Sequence, residues 1–220
     1  MSSRAFATPP ARRPPAYDPR VARDREDLLA RIATEVAGRN PPGRMTTRVV
    51  AIDGPGGAGK STLAACLAAH LGGAEIVHTD DFASWENPID WWPRLIADVL
   101  EPLARNDEVV RFEASVWEPG RVPAWVELRP TPVVIVEGVT ASRAAFRPYL
   151  TYAIWIDTPA DVRLARGLDR DGPASRSQWE RWMAAEEEYR IRERPDERAD
   201  LVVSGNGMGS CQYGRRDREP

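Results

Sequence analysis

The run Gly54-Pro55-Gly56-Gly57-Ala58-Gly59-Lys60-Ser61 constrains this chain more than any other stretch, because it completes a G-x-x-x-x-G-K-[ST] pattern. Before it lies Arg48 to Ile52, an apolar run that reads as a buried strand. After it the spacing predicts a helix from Lys60 to Leu71, stopped by Gly72-Gly73. Strand, glycine-rich turn and helix in that order open a parallel α/β sheet. Gly54, Gly56, Gly57 and Gly59 let the backbone curl so that the loop's N–H groups, from Ala58 through Thr62, converge on phosphate. The helix N-terminus adds a favourable dipole, Lys60 reaches the outer phosphates, and the Ser61 hydroxyl can ligate Mg²⁺. ATP or GTP with Mg²⁺ is the implied ligand. Lys60 is also the only lysine among 30 basic side chains. A compact ammonium suits this loop, where a planar guanidinium would be too large. A glycine-rich turn bearing a surface lysine is the bland alternative, and the flanking strand and helix disfavour it.

Bulk properties narrow the class further. A length of 220 residues fits one α/β domain with loose ends. The formal net charge of −3 speaks against a nucleic-acid-wrapping surface. Apolar runs such as Val133 to Val136 and Ala153 to Ile156 are far shorter than the roughly 20 residues that span a bilayer, so no membrane passage is expected. Cys66 and Cys211 are too few for a disulfide scaffold or a zinc site; core or tail filler in a reducing cytoplasm is the natural reading. Met1 to Arg13 lacks the apolar stretch of a secretory signal.

The chain divides into a Pro- and Arg-rich arm over 1–22 that is expected to be disordered, an amphipathic helix and linker over 23–44, the main domain over 45–204, and a flexible tail over 205–220. In the second of these, Leu28, Leu29, Ile32 and Val36 recur at helical spacing. Within the main domain, Ala74 to His78 is a second strand, and Trp91 to Arg105 a helix capped by Asp90 and kinked by Pro102. Alternation from Val110 to Val116, a Pro-Gly turn at Glu118 to Arg121, and a return over Val122 to Leu128 predict an inserted β-hairpin over a pocket. Val133 to Val136 and Ala153 to Ile156 are central strands. Thr158-Pro159-Ala160-Asp161 predicts a capped helix running through Arg170, followed by a charged helix over about Gln178 to Glu193 and a last strand at Leu201 to Ser204.

Ligands of open α/β sheets bind beyond the carboxyl ends of the strands, and three such ends carry acids or arginines. After the second strand come Asp80 and Asp81, able to hold Mg²⁺ or take the proton of an acceptor hydroxyl, though an acid pair can also simply cap a loop. Glu137 ends the Val133 strand as a candidate Mg²⁺ or substrate ligand. Arg163, Arg166 and Arg170 share one helix face, which spacing alone leaves open between a common anionic target and a solvated surface.

These pieces together resemble the uridine kinase and phosphoribulokinase family: the phosphate loop, the T-D-x-F box at Thr79 to Phe82, V-I-V-E-G at Val134 to Gly138, and the lid-like stretch from Asp157 to Asp171, in that order over about residues 48 to 204. The resemblance implies a P-loop fold with a helical lid and transfer of the γ-phosphoryl of ATP to an alcohol group. It makes Asp80 the catalytic base, with Asp81 behind it, and places Glu137 near Mg²⁺ and substrate and Ser61 on the metal. Arg166 would act on the transferred phosphoryl group, with Arg163 and Arg170 closing over the nucleotide. In the hairpin, where uridine kinases carry a tyrosine and a histidine, this chain offers Phe112 and Trp117 to the acceptor. Trp85, Trp91, Trp92, Trp117 and Trp125 are equally readable as pocket walls or core. His70 and His78 read as packing or surface residues, and Glu186 to Glu188 as a solvated helix face. The expected partner is a nucleoside-sized small molecule. A sugar, vitamin-precursor or antibiotic kinase, a non-catalytic nucleotide-binding regulator, and a homo-oligomeric assembly all stay open.

Overall fold

A computed structural model describes residues 19–84, 87, 89–116 and 122–206. Trp85, the hairpin turn and Trp117 therefore lie outside the described residues. Strands β1 (Arg48–Asp53), β2 (Glu75–His78), β5 (Val133–Glu137), β6 (Tyr152–Asp157) and β7 (Leu201–Ser204) form one sheet in the order β2-β5-β1-β6-β7. Each neighbouring pair is parallel, and β1 lies at the centre, paired with β5 on one side and β6 on the other. The second sheet is the antiparallel hairpin of β3 (Val110–Ala114) and β4 (Ala124–Leu128).

Both faces of the main sheet are covered, so its strands are apolar throughout rather than alternating. Because successive side chains point to opposite faces, Val49 and Ala51 join one core with Val134, Val136, Phe82 and Phe112. Val50 and Ile52 join the other, with Ile135, Ile154 and Ile156. The second core is closed by helix α1 (Pro19–Ala37), whose Leu29, Ile32 and Val36 are buried, and by α2 (Lys60–His70). Helix α1 begins at Pro19, inside the segment the sequence assigns to the arm. Cys66 lies in this core, in keeping with its reading as core filler.

Three local expectations change. The span after the second strand is helical as α3 (Trp92–Leu95), a π-segment (Ile96–Leu100) and α4 (Glu101–Arg105). Pro102 has no N–H for the carbonyl one turn back, and the wider π-turn precedes it in place of a simple kink. Asp90 makes no side-chain cap there. Thr158 does not cap α5 (Ala160–Asp171) either, since its hydroxyl is drawn under the phosphate loop. Helices α6 (Arg176–Glu193) and α7 (Pro195–Arg198) lead back into β7. Among the described residues no helix is long and apolar enough to cross a membrane.

Candidate active site

The strand order sets the chemistry side by side. Asp80 follows β2, Glu137 ends β5, the glycine-rich loop follows β1 and helix α5 follows β6. The loop itself is braced from below by Asp53, a fully buried acid. Its carboxylate accepts hydrogen bonds from Gly54 N–H (2.7 Å) and Thr140 N–H (2.9 Å) on one oxygen, and from Ser142 N–H and Oγ and the Tyr189 hydroxyl (2.9, 2.7 and 2.8 Å) on the other. Burial pushes this carboxyl up while those bonds pull it down. Lys60 is buried along its stem and donates from Nζ to Pro55 O at 2.9 Å. The Thr158 hydroxyl donates to Ala58 O at 3.2 Å. Gly57 has φ +75°, and a Cβ there would stand 2.8 Å from Arg163 O, so both conformation and space demand glycine.

One strand over, His78 and Glu137 are register partners. The Glu137 carboxylate accepts from His78 Nδ1 at 2.6 Å and from the Ser61 hydroxyl at 3.1 Å. Burial alone would push the Glu137 carboxyl up, yet the His78 hydrogen bond, the Lys60 ammonium and Ser61 hold it below the ordinary range. The bond to Glu137 raises the His78 imidazole in turn. His78 thus belongs to the site, contrary to its reading as a packing residue. Ser61 and Glu137 together supply two oxygen donors, and no cluster of three or more His, Cys, Asp or Glu suited to a metal occurs among the described residues. So small a donor set fits Mg²⁺, which keeps waters and shares its coordination with substrate phosphates, and does not fit a cation held by protein alone.

Two cavities meet here. The first, about 350 Å³, is the phosphate cavity, bordered by Gly56, Gly57, Gly59, Lys60, Ser61 and Thr62 and by Glu137, Arg166 and Arg170. The second, about 550 Å³, is bordered by Thr79, Ala83, Ile89, Trp91, Gln178 and Trp182 among others. Asp80, Arg170, Trp179, Trp182 and Glu186 border both. Asp80 is open to solvent through these cavities, but the protein packed around it pushes its carboxyl up, with Lys60 opposing and the Glu137 charge reinforcing. Asp81 borders neither cavity.

The three lid arginines part company. Arg166 donates to Gly57 O and to Gly205 O, both at 3.0 Å, and borders the phosphate cavity. Arg170 pairs with Asp171, its guanidinium 5.5 Å above the Trp179 ring. Arg163 turns away, bonding Thr158 O (3.1 Å) and Glu186 Oε2 (3.2 Å) behind the loop. Glu186 is buried, not solvated: its Oε1 accepts from Gly56 N–H at 2.9 Å.

Of the two hairpin candidates, Trp117 lies outside the described residues and Phe112 turns inward. Phe112 is 2% exposed and stacks on Phe82 with centroids 4.9 Å apart, so it is core and cannot touch a ligand. Trp92 packs on the core and Trp125 is exposed, leaving Trp91 as the one anticipated tryptophan that borders a cavity among the described residues. Trp179 and Trp182, which the sequence reading passed over, supply the other aromatic walls. The available signal was their spacing: residues 179, 182, 186 and 189 fall at i, i+3, i+7 and i+10 on α6, one face shared by two aromatics, an acid and a tyrosine.

No family model matches the sequence, and no curated protein is significantly similar to it. Solved structures do share its fold. A protein described as a possible uridine kinase from Bacillus stearothermophilus superposes with a TM-score of 0.61 at 21% identity, covering 83% of this chain and 98% of that one. A candidate fructose transport system kinase from Silicibacter sp. TM1040 gives 0.50 at 22% identity, covering 79% and 98%. Both share this chain's fold, a parallel sheet flanked by helices.

Proposed function

We propose that this protein is an ATP-dependent kinase that transfers the γ-phosphoryl group to a hydroxyl of a nucleoside-like small molecule. The observation that carries this reading is Asp80, which stands on the wall common to the phosphate cavity and the larger second cavity. A hydroxyl entering from the second cavity meets the carboxylate and the end of the triphosphate together. Asp80 orients that hydroxyl and takes its proton late in a loose, in-line transfer. Lys60 and Arg166 lie against the phosphates and stabilise the charge that develops there. Ser61 and Glu137 would hold Mg²⁺, which neutralises phosphate charge when bound. A non-catalytic regulator would need neither an acid at that junction nor a second cavity.

The nucleoside-like acceptor is favoured by Trp182, whose half-buried ring gives the second cavity an aromatic face against which a planar base can stack. The test is ADP release by purified protein given ATP, Mg²⁺ and a panel of nucleosides and sugars. Release that depends on a nucleoside supports the reading. ADP release indifferent to any acceptor contradicts it.

A further inference from the structure

The kinase reading gives no part to Glu186, yet this side chain is held on both oxygens and stands where the two cavities meet. Helix α6 presents it, and Tyr189, three residues on, is pinned to Asp53 at the root of the phosphate loop by a 2.8 Å hydrogen bond. The helix is therefore fixed at this level, and the carboxylate can leave only by rotating its own side chain. Gly56 makes the approach possible: a Cβ there would lie 2.9 Å from Glu186 Oε1 and 3.1 Å from the Trp179 ring.

The place it takes is informative. Gly56 lies in the phosphate loop just before the Ala58–Thr62 amides, so a carboxylate bonded to its N–H stands beside the place where phosphate is expected. Burial pushes the Glu186 carboxyl up, while the Lys60 ammonium, the Gly56 hydrogen bond and the Arg163 guanidinium oppose it, so the group lies in the field of the loop's own cation. The first two phosphates of a nucleotide belong on the amides at the helix end of the loop, with Lys60 reaching the outer ones. The transferable group must reach further, to the junction where an acceptor hydroxyl can meet it. That junction is bordered by Glu186.

We propose that Glu186 is a specificity-determining residue that holds the place of the transferable phosphoryl group, giving it up to a triphosphate and keeping it against a diphosphate. This rests on the kinase reading of the site. A carboxylate matches that phosphoryl group in charge and in hydrogen-bond acceptors, so it competes with the group for this place, whereas a diphosphate binds beside it. A purely structural brace between α6 and the loop would act equally on both nucleotides.

The experiment measures binding of ADP and of the non-hydrolysable β,γ-imido analogue of ATP, each with Mg²⁺, by calorimetry on the full chain and on Glu186→Gln and Glu186→Ala. Glu186→Gln keeps the shape and removes the charge, and it carries the test if the alanine variant folds poorly. The triphosphate analogue should bind about tenfold more tightly to the variants, as removal of a nearby like charge in a partly dry site predicts, while ADP stays within about twofold. Equal changes for the two nucleotides, or no change in either, overturn the proposal and leave the kinase reading intact. A wild-type chain that binds neither nucleotide overturns both.

Discussion

The two ends of the proposed site, the phosphate end at the glycine-rich loop and the acceptor end at the second cavity, are built by different means. At the phosphate end, contacts run through backbone groups and a few obligatory side chains: the loop from Gly54 to Ser61, Lys60 on Pro55 O, Thr158 on Ala58 O, and Arg166 on Gly57 O. Such contacts depend on residue type and local order, so they are written in consecutive residues. At the acceptor end the walls come from the loop after β2 and from α6, elements about ninety residues apart in the chain that meet only in the folded protein. There, identity says little until packing decides which ring faces the cavity and which faces the core.

That difference can be broken or sharpened by substitution, the largest effect coming where the two ends meet. Asp80→Asn keeps the shape and loses the proton acceptor, so turnover should fall by roughly 10²–10⁴-fold with ATP affinity nearly unchanged, as read by steady-state rates beside a binding titration. Wild-type kcat/KM should also fall in acid as Asp80 is protonated. Because burial raises this carboxyl, that acid limb should lie above the range of an ordinary aspartate. Next in size, Arg166→Ala should lower turnover about 10²-fold and cost much less in ATP affinity. Equal losses in both would reassign Arg166 to holding the loop through Gly57 and Gly205.

The acceptor end gives smaller and more selective effects. Trp182→Ala removes a half-buried ring and should raise the acceptor KM about tenfold, the equivalent of roughly 1.4 kcal/mol, while the ATP KM stays put. Phe112→Leu supplies the contrast. Its ring is sealed between Phe82 and the hairpin, so the substitution should cost about 1–2 kcal/mol of stability, seen as a lower denaturant midpoint, with both KM values unchanged in the folded protein. A raised acceptor KM in Phe112→Leu would restore the hairpin as the recognition element.

The same contrast explains what could be read in advance. The parallel sheet, the loop, and the acids at the ends of β2 and β5 were legible because strand ends converge on one edge whatever fills the core. Thr158 was misread because its local pattern matches a helix cap, while the tertiary partner Ala58 O claims its hydroxyl. Glu186 was misread for a related reason. A run of three glutamates reads as a wet surface, and only the Gly56 and Arg163 contacts show that the first of them points inward. His78 looked partnerless because its partner Glu137 is distant in sequence and adjacent only through strand register. Arg163 shares helical spacing with Arg166 and Arg170, yet the turn of α5 past the loop directs it to the far side.

The central claim is that the group leaving ATP arrives on an acceptor hydroxyl at Asp80. Phosphorus NMR of a mixture of protein, ATP, Mg²⁺ and a nucleoside follows that group directly. The account predicts a phosphomonoester signal growing in step with ADP, abolished when the nucleoside is left out and strongly slowed in Asp80→Asn. Inorganic phosphate growing in place of the ester, at a rate indifferent to the nucleoside, would contradict it.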